Sequence, residues 1–267
     1  MISRPVLACL ARLAAAAGLL CLATGSASAA SLDEIKKAGT MKIVTTASSP
    51  PHGFVDPRTS KLSGIMVEIA ELVSRDLGVK AEFSEVPFGG LIGSITSGRS
   101  DLMSAPLFIT AERSQVLDFS NPVYGWGEGI IVREDSTKTF TDNKSLAGNT
   151  IGVLVGSVQL NMLKDVPGIK EVRTYPDYVT ILAEIRAGRI DGALIDPPSV
   201  AYQIKDKNIS GVKLVKTFKP ENSWQVGLAV NKGNTALIGA VNESLAKNKA
   251  EIGKILEKWG VGDLAAK

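Results

Sequence analysis

Along this chain, short apolar runs alternate with longer amphipathic ones. Met41 to Thr46 (MKIVTT) predicts a strand, and Val79 to Val86 alternates as a second strand would. Between them, Gly64 to Leu77 predicts a helix with Met66, Ile69, Val73 and Leu77 on one face and Gly78 at its end. Leu32 to Gly39 (LDEIKKAG) predicts a shorter helix stopped by glycine. Ala47 to Phe54 is rich in Ser and Pro and reads as a loop, as Pro50-Pro51 demands.

A repeat follows. Leu91 to Leu102 (LIGSITSGRSDL) matches Ile181 to Gly192 (ILAEIRAGRIDG). Each reads as a helix ended by Gly-Arg, then an Asp that opens a strand. The strands MKIVTT and TIGVLVG (Thr150 to Gly156) also correspond, so one unit of strands and helices occurs twice. Strands alternating with helices imply an α/β class with mostly parallel sheets, and the repeat implies two similar lobes. A last segment, Ser223 to Lys267, predicts a strand at Val226 to Val230 and helices at Thr235 to Asn248 and Glu251 to Trp259.

The 267 residues suit one large domain or two small ones. Lys+Arg 30 against Asp+Glu 27 is near balance and gives no reason to expect a nucleic-acid surface. The N-terminus reads as a secretory signal over residues 1–29: Arg4 and Arg12, an apolar run from Leu13 to Ala23, then Ala27-Ser28-Ala29. Cys9 and Cys21 both lie inside it, so no disulfide or thiol chemistry is expected of the mature chain. Gly18-Leu19-Leu20 lacks the small residue that precedes a lipidated cysteine, so we expect an exported, periplasmic protein rather than an anchored one. With His52 as the one histidine, no Ser/His/Asp triad beyond it and no zinc constellation can be assembled. No glycine-rich nucleotide motif occurs either. No cofactor and no metal are expected.

Asp101 to Tyr124 carries the candidate chemistry. Thr110-Ala111-Glu112-Arg113 reads as a helix opening with Thr110 as N-cap. A cation at that end opposes the helix dipole. A ligand carboxylate, gripped by the guanidinium through two hydrogen bonds, would resolve the conflict. The alternative is a surface arginine paired with Glu112 or Asp118.

The pattern Thr110, Arg113, Phe119, Ser120, Pro122, Tyr124 resembles the signature of bacterial extracellular solute-binding proteins of family 3, the amino-acid receptors of ABC importers. The resemblance runs from about Leu32 to Gly260. It implies a two-lobed periplasmic-binding-protein fold of type II. Residues 30–126 and 224–267 would form one lobe and 127–223 the other. Two crossing strands, near Gly125 to Glu128 and Ser223 to Gln225, would join them and permit closure around a ligand.

The resemblance also assigns roles. Arg113 would clamp an α-carboxylate, and the turn at Gly156, Ser157, Val158 and Gln159 would bind that group from the second lobe. Asp196 would salt-bridge the α-ammonium. Its sequence context, Asp196-Pro197-Pro198, equally predicts a helix N-cap, and one carboxylate can serve both ends. Ser49 and Phe88 stand where aromatics sandwich the ligand side chain. Phe108 replaces a hydroxyl residue, Pro106 replaces Ser or Gly, Val158 a frequent Thr, and Thr46 an acid of receptors for cationic amino acids. These departures point to a neutral amino acid or a related carboxylate, not Lys, Arg or His. His52, Trp126 and Trp224 read either as cleft lining or as solvated and packing residues, and Glu128 is equally open. The expected protein is a monomer that delivers its ligand to an ABC permease. The rival is a periplasmic cyclohexadienyl dehydratase-like enzyme on the same fold, which would need an acid such as Glu128 in the cleft.

Overall fold

The computed structural model describes residues 29–205 and 209–266; the expected signal segment lies outside them apart from its last alanine. Helix α1 (Leu32–Ala38) opens on a reciprocal cap between Ser31 and Glu34 and stops at Gly39, φ 71°. Strand β1 (Thr40–Thr45) follows. The loop expected at Ala47 to Phe54 instead holds β2 (Ser48–Ser49) and the start of β3 (Gly53–Asp56), which with β4 (Lys61–Ser63) form a small antiparallel sheet. Runs of two to four residues are too short for alternation to register in the sequence. Helix α2 (Ile65–Leu77) buries Met66, Ile69 and Val73 as its periodicity predicts. Then come β5 (Lys80–Glu85), a single 3-10 turn at Phe88–Gly90, α3 (Leu91–Thr96), β6 (Leu102–Met103) and β7 (Leu117–Phe119).

After β8 (Tyr124–Trp126) the chain builds a second sheet from β9 (Gly129–Arg133), β10 (Thr150–Leu154), β11 (Glu171–Tyr175), β12 (Gly192–Ile195) and β13 (Val212–Leu214). Helices α4 (Val158–Lys164), α5 (Tyr178–Arg186) and α6 (Pro197–Lys205) connect them. It returns through β14 (Trp224–Val226) and β15 (Ala229–Asn231) to α7 (Thr235–Lys247) and α8 (Lys249–Lys258). The single strand expected at Val226 to Val230 is thus two: β14 pairs with β8, and β15 enters the first sheet between β6 and β7. Its unbroken apolar run hid the change of partner.

The two sheets have one plan, β5-β1-β6-β15-β7 and β11-β10-β12-β9-β13. In each, three parallel strands are extended by an antiparallel pair. The repeat seen in the sequence has one structural meaning in both. Gly98 and Gly188 end their helices at φ 70° and 68°, a conformation open to glycine. Asp101 and Asp191 then turn back onto β1 and β10. Asp101 Oδ2 accepts from Lys42 N, and Asp191 Oδ2 from Thr150 N, both at 2.8 Å. The backbone of each Asp also donates to the carbonyl of that same residue at 2.8 Å.

Two connections join the lobes as the antiparallel pair β8–β14, with Trp126 opposite Trp224. Gly125 is needed there, since a Cβ would lie 2.2 Å from the Trp224 carbonyl oxygen. A first core packs α2, α7 and α8 on the first sheet, and another fills the second lobe around Val132, Phe140 and Ile151. A third cluster runs between the sheets, from Val44 and Met103 to Ile181 and Ile195.

Candidate functional site

Arg113 follows β6 in the first lobe. Thr110 Oγ1 accepts from Arg113 N at 3.2 Å, as an N-cap would. The helix it opens, however, is only a 3-10 turn, Arg113–Gln115, so the expected conflict with a helix dipole is small. What distinguishes Arg113 is burial, at 7 % exposure. Its Nη1 donates to the Phe108 carbonyl at 2.9 Å and its Nη2 crosses to the Gly156 carbonyl of the second lobe at 3.0 Å. A surface pairing is excluded on two counts: the side chain is buried, and Asp118 is taken by Lys232 and Gly233 N. Burial brings the guanidinium down to about 10, against the pull of Glu112 and Asp196. It is therefore charged at neutral pH.

Asp196 directly follows β12 and is also buried. Its oxygens accept from Gln159 Nε2 at 3.0 Å and Tyr178 Oη at 2.8 Å. The expected side-chain cap on α6 is replaced by these two contacts. Burial pushes its carboxyl up, countered by Trp126, Tyr178, Gln159 and the charge of Arg113. The Trp126 indole N–H is near enough to act on the carboxylate, although it falls outside hydrogen-bonding geometry.

The other expected residues lie around this pair. Ser157 caps α4, accepting from Leu160 N at 3.3 Å, and Val158 packs against the first lobe's core. Phe108 offers its carbonyl to Arg113. Its ring packs on Trp126 and Trp224 at 4.8 and 5.1 Å, so its apolar surface belongs to the hinge. Pro106 is buried in the same loop. Phe88 is buried in a turn whose neighbour, Gly89, meets Val155 and Gly156 across the lobes. Ser49 is buried in β2 and accepts from His52 N at 2.8 Å. Among the described residues, no side-chain hydrogen bond ties Ser49, Phe88 or Pro106 to the Arg113–Asp196 pair.

Two polar partners of Asp196 were not assigned that contact from the sequence. Gln159 and Tyr178 reach Asp196 from the first turns of α4 and α5, and nothing in the local pattern marks them. His52 is wholly buried, with Nδ1 2.7 Å from Tyr124 Oη and its ring stacked on Trp126. Glu128, by contrast, serves the hinge: its Oε1 accepts from Glu221 N at 2.7 Å and Asn143 Nδ2 at 3.4 Å. A cavity of about 850 Å³ lies beside that hinge, lined by Trp126, Glu128, Tyr202 and Trp259 and not by Arg113 or Asp196. Chemistry rather than volume therefore locates the candidate site.

Two like lobes joined by a two-stranded hinge, with a buried guanidinium from one and a buried carboxyl from the other acting on each other through space, define a two-lobed ligand-binding protein. The chain belongs to the bacterial extracellular solute-binding proteins, family 3, whose model matches residues 41–262. It is 30 % identical over 236 residues to the L-cystine-binding protein TcyJ of Escherichia coli K12, covering 87 % of each chain. Among solved structures it is similar to holo ArgBP from T. maritima (30 % identity, TM-score 0.76, 85 % of this chain and 98 % of that one). It is also similar to the ancestral amino acid-binding protein AncCDT-1, a precursor of cyclohexadienyl dehydratase (28 % identity, TM-score 0.77, 85 % and 98 %). The family and these named binding relatives make the chain a solute-binding protein of amino-acid transport systems rather than an enzyme.

Proposed function

We propose that the protein captures a neutral amino acid in the periplasm and presents it to an ABC permease. One observation carries this. Arg113 and Asp196 are buried with opposite charge and act on one another through space, yet Arg113 donates to carbonyls and Asp196 accepts from neutral groups. A zwitterion fits that arrangement, its carboxylate on the guanidinium and its ammonium on the aspartate. Ser157 and Val158 complete the carboxylate end in this reading, and Pro106, Phe108, Phe88 and Ser49 border the side chain.

The lobes are residues 30–126 with 224–267, and 127–223. Ligand touching both stabilises the closed form that the permease recognises, and a monomer suffices. Thr46 is buried and uncharged, which supports a ligand without a cationic side chain, since a buried ammonium or guanidinium needs a second carboxylate. The test is a thermal-shift screen of the mature protein against the twenty amino acids, followed by calorimetry, because binding raises stability by mass action. A neutral L-amino acid should raise the melting temperature, and Lys and Arg should not. Micromolar binding of Arg would overturn the neutral assignment.

A further inference from the structure

Asp196 precedes Pro197 and Pro198, which carry no N–H. The first amide of α6, Ser199 N, donates to the Asp196 backbone carbonyl at 3.1 Å. The carboxyl group therefore takes nothing from the helix it opens. Each of its oxygens is held from another element instead. Gln159 Nε2, in the first turn of α4, donates to Oδ1 at 3.0 Å, and Tyr178 Oη, at the start of α5, donates to Oδ2 at 2.8 Å. Burial and the neighbouring Asp196 hold the Tyr178 hydroxyl well above its usual pKa, so it keeps the proton it donates. Asp196, Gln159 and Tyr178 are all buried. The turn that carries Gln159 also meets the opposite charge, since Gly156 O accepts from Arg113 Nη2 at 3.0 Å. Residues 156–159 thus touch the guanidinium at one end and the carboxyl at the other. A carboxylate offers about four lone-pair sites on its two oxygens, so two neutral donors leave room for an ammonium.

We propose that Tyr178 and Gln159 are positioning residues of the amino-acid site, which hold the Asp196 carboxylate, one oxygen each, as the anionic acceptor for the ligand's α-ammonium. Burial favours the neutral acid, and both donors oppose that. A neutral acid would give up the charge-assisted contact with an ammonium. Fixed by residues of its own lobe, the carboxylate is set before the lobes close, which cuts the cost of ordering it on binding. This inference rests on the amino-acid reading above.

The test reads affinity against pH. Among the described residues, the groups that face Asp196 are Arg113, Tyr124, Trp126, Gln159 and Tyr178. Arg113 titrates at about 10, both tyrosines stay neutral, and His52, 2.7 Å from Tyr124, titrates at about 3. Between about pH 5 and pH 8, Asp196 is the member of this cluster left to titrate. The twenty L-amino acids are screened by thermal shift. The one with the largest shift is then titrated calorimetrically, at both ends of that range, into wild type, Tyr178→Phe and Gln159→Met. Tyr178→Phe keeps the ring and removes the hydroxyl. It should weaken binding about tenfold at the upper pH. Affinity that needs an ionised carboxylate is lost as pH falls through its pKa, and losing a donor raises that pKa. At the lower pH the variant should therefore fall behind wild type by roughly a further threefold or more. Gln159→Met should do the same from the other oxygen.

A Tyr178→Phe affinity equal to wild type, or lower by one constant factor at both pH values, would leave Tyr178 a packing residue and overturn the proposal alone. No thermal shift from any of the twenty would overturn the amino-acid reading and this inference with it. If Tyr178→Phe does not fold, Gln159→Met decides by the same ratio.

Discussion

Arg113 is a cation kept from water by two carbonyl oxygens, one from each lobe. Arg113→Ala is expected to weaken ligand binding by roughly 2–5 kcal/mol, since it leaves a desolvated carboxylate unpaired. That is on the order of 30-fold to several thousand-fold in affinity. It should also cost about 1–3 kcal/mol of stability from the two unpaired carbonyls, partly offset by removing a buried charge. Arg113→Lys should restore binding in part, because ammonium lacks the planar fork. Calorimetry and urea unfolding on the three proteins check this; unchanged affinity would remove Arg113 from the site.

His52 gives an independent test through pH. Burial lowers its pKa to about 3, so below about 6.5 the unfolded chain takes up a proton that the folded one refuses. Stability from this group is therefore lost as pH falls from about 6.5 toward 3, at up to about 1.4 kcal/mol per pH unit. The difference in stability between wild type and His52→Gln should shrink or reverse between pH 7 and pH 4.5 in urea unfolding. A constant difference would mean that the ring is hydrated and titrates normally.

The repeated helix-Gly-Arg-x-Asp unit has an equivalent effect in each lobe. Each Asp ties the turn after its helix to β1 or β10 by one side-chain and one backbone contact. The two aspartates differ in charge balance. Burial pushes the Asp101 carboxyl up despite Lys42 N. For Asp191 burial acts upward too, but Lys138 at 2.8 Å and Thr150 N bring it below the usual value. Removing either leaves a strand N–H without its partner, at about 1–3 kcal/mol. Asp101→Ala and Asp191→Ala should each lower the unfolding free energy by that amount, with Asn recovering part. Equal melting of all three proteins would show these contacts to be replaceable by water.

Closure of the lobes depends on β8 and β14 passing close together. Gly125→Ala places a methyl 2.2 Å from the Trp224 carbonyl oxygen, so one hinge strand must shift. The variant should melt lower, with a smaller ligand-induced rise than wild type, because the hinge starts in a geometry the closed form does not share. Gly239→Ala, inside α7 with nothing within 4 Å of the new Cβ, is the control. It should stabilise by roughly 0.5–1 kcal/mol through helix propensity. A hinge variant as stable and responsive as that control would show that the strands separate freely.

Much of this protein was legible in its linear pattern. The amphipathic stripe of α2, the glycine at the end of α1 and the Gly-Arg-x-Asp repeat are local signals, and local physics made them: side-chain period, positive φ and capping. Thr110 and Arg113 were legible too, although the helix they opened shrank to one 3-10 turn. Other features had no local cause. Ser48 to Ser63 forms a small sheet because each short strand finds partners in the others, and two residues of strand carry no period. The break between β14 and β15 reflects two different neighbours met by one apolar run. Phe108, read as pocket surface, turned to the hinge because Trp126 and Trp224 were there to cover its ring. Gln159 and Tyr178 became partners of Asp196, and His52 of Tyr124 and Trp126, only when α4, α5 and the turn after β2 converged. Their roles come from contacts between residues distant in the chain, 72 positions apart for His52 and Tyr124. A pattern read along the chain carries the preferences of a segment; burial and pairing across lobes depend on which segments meet.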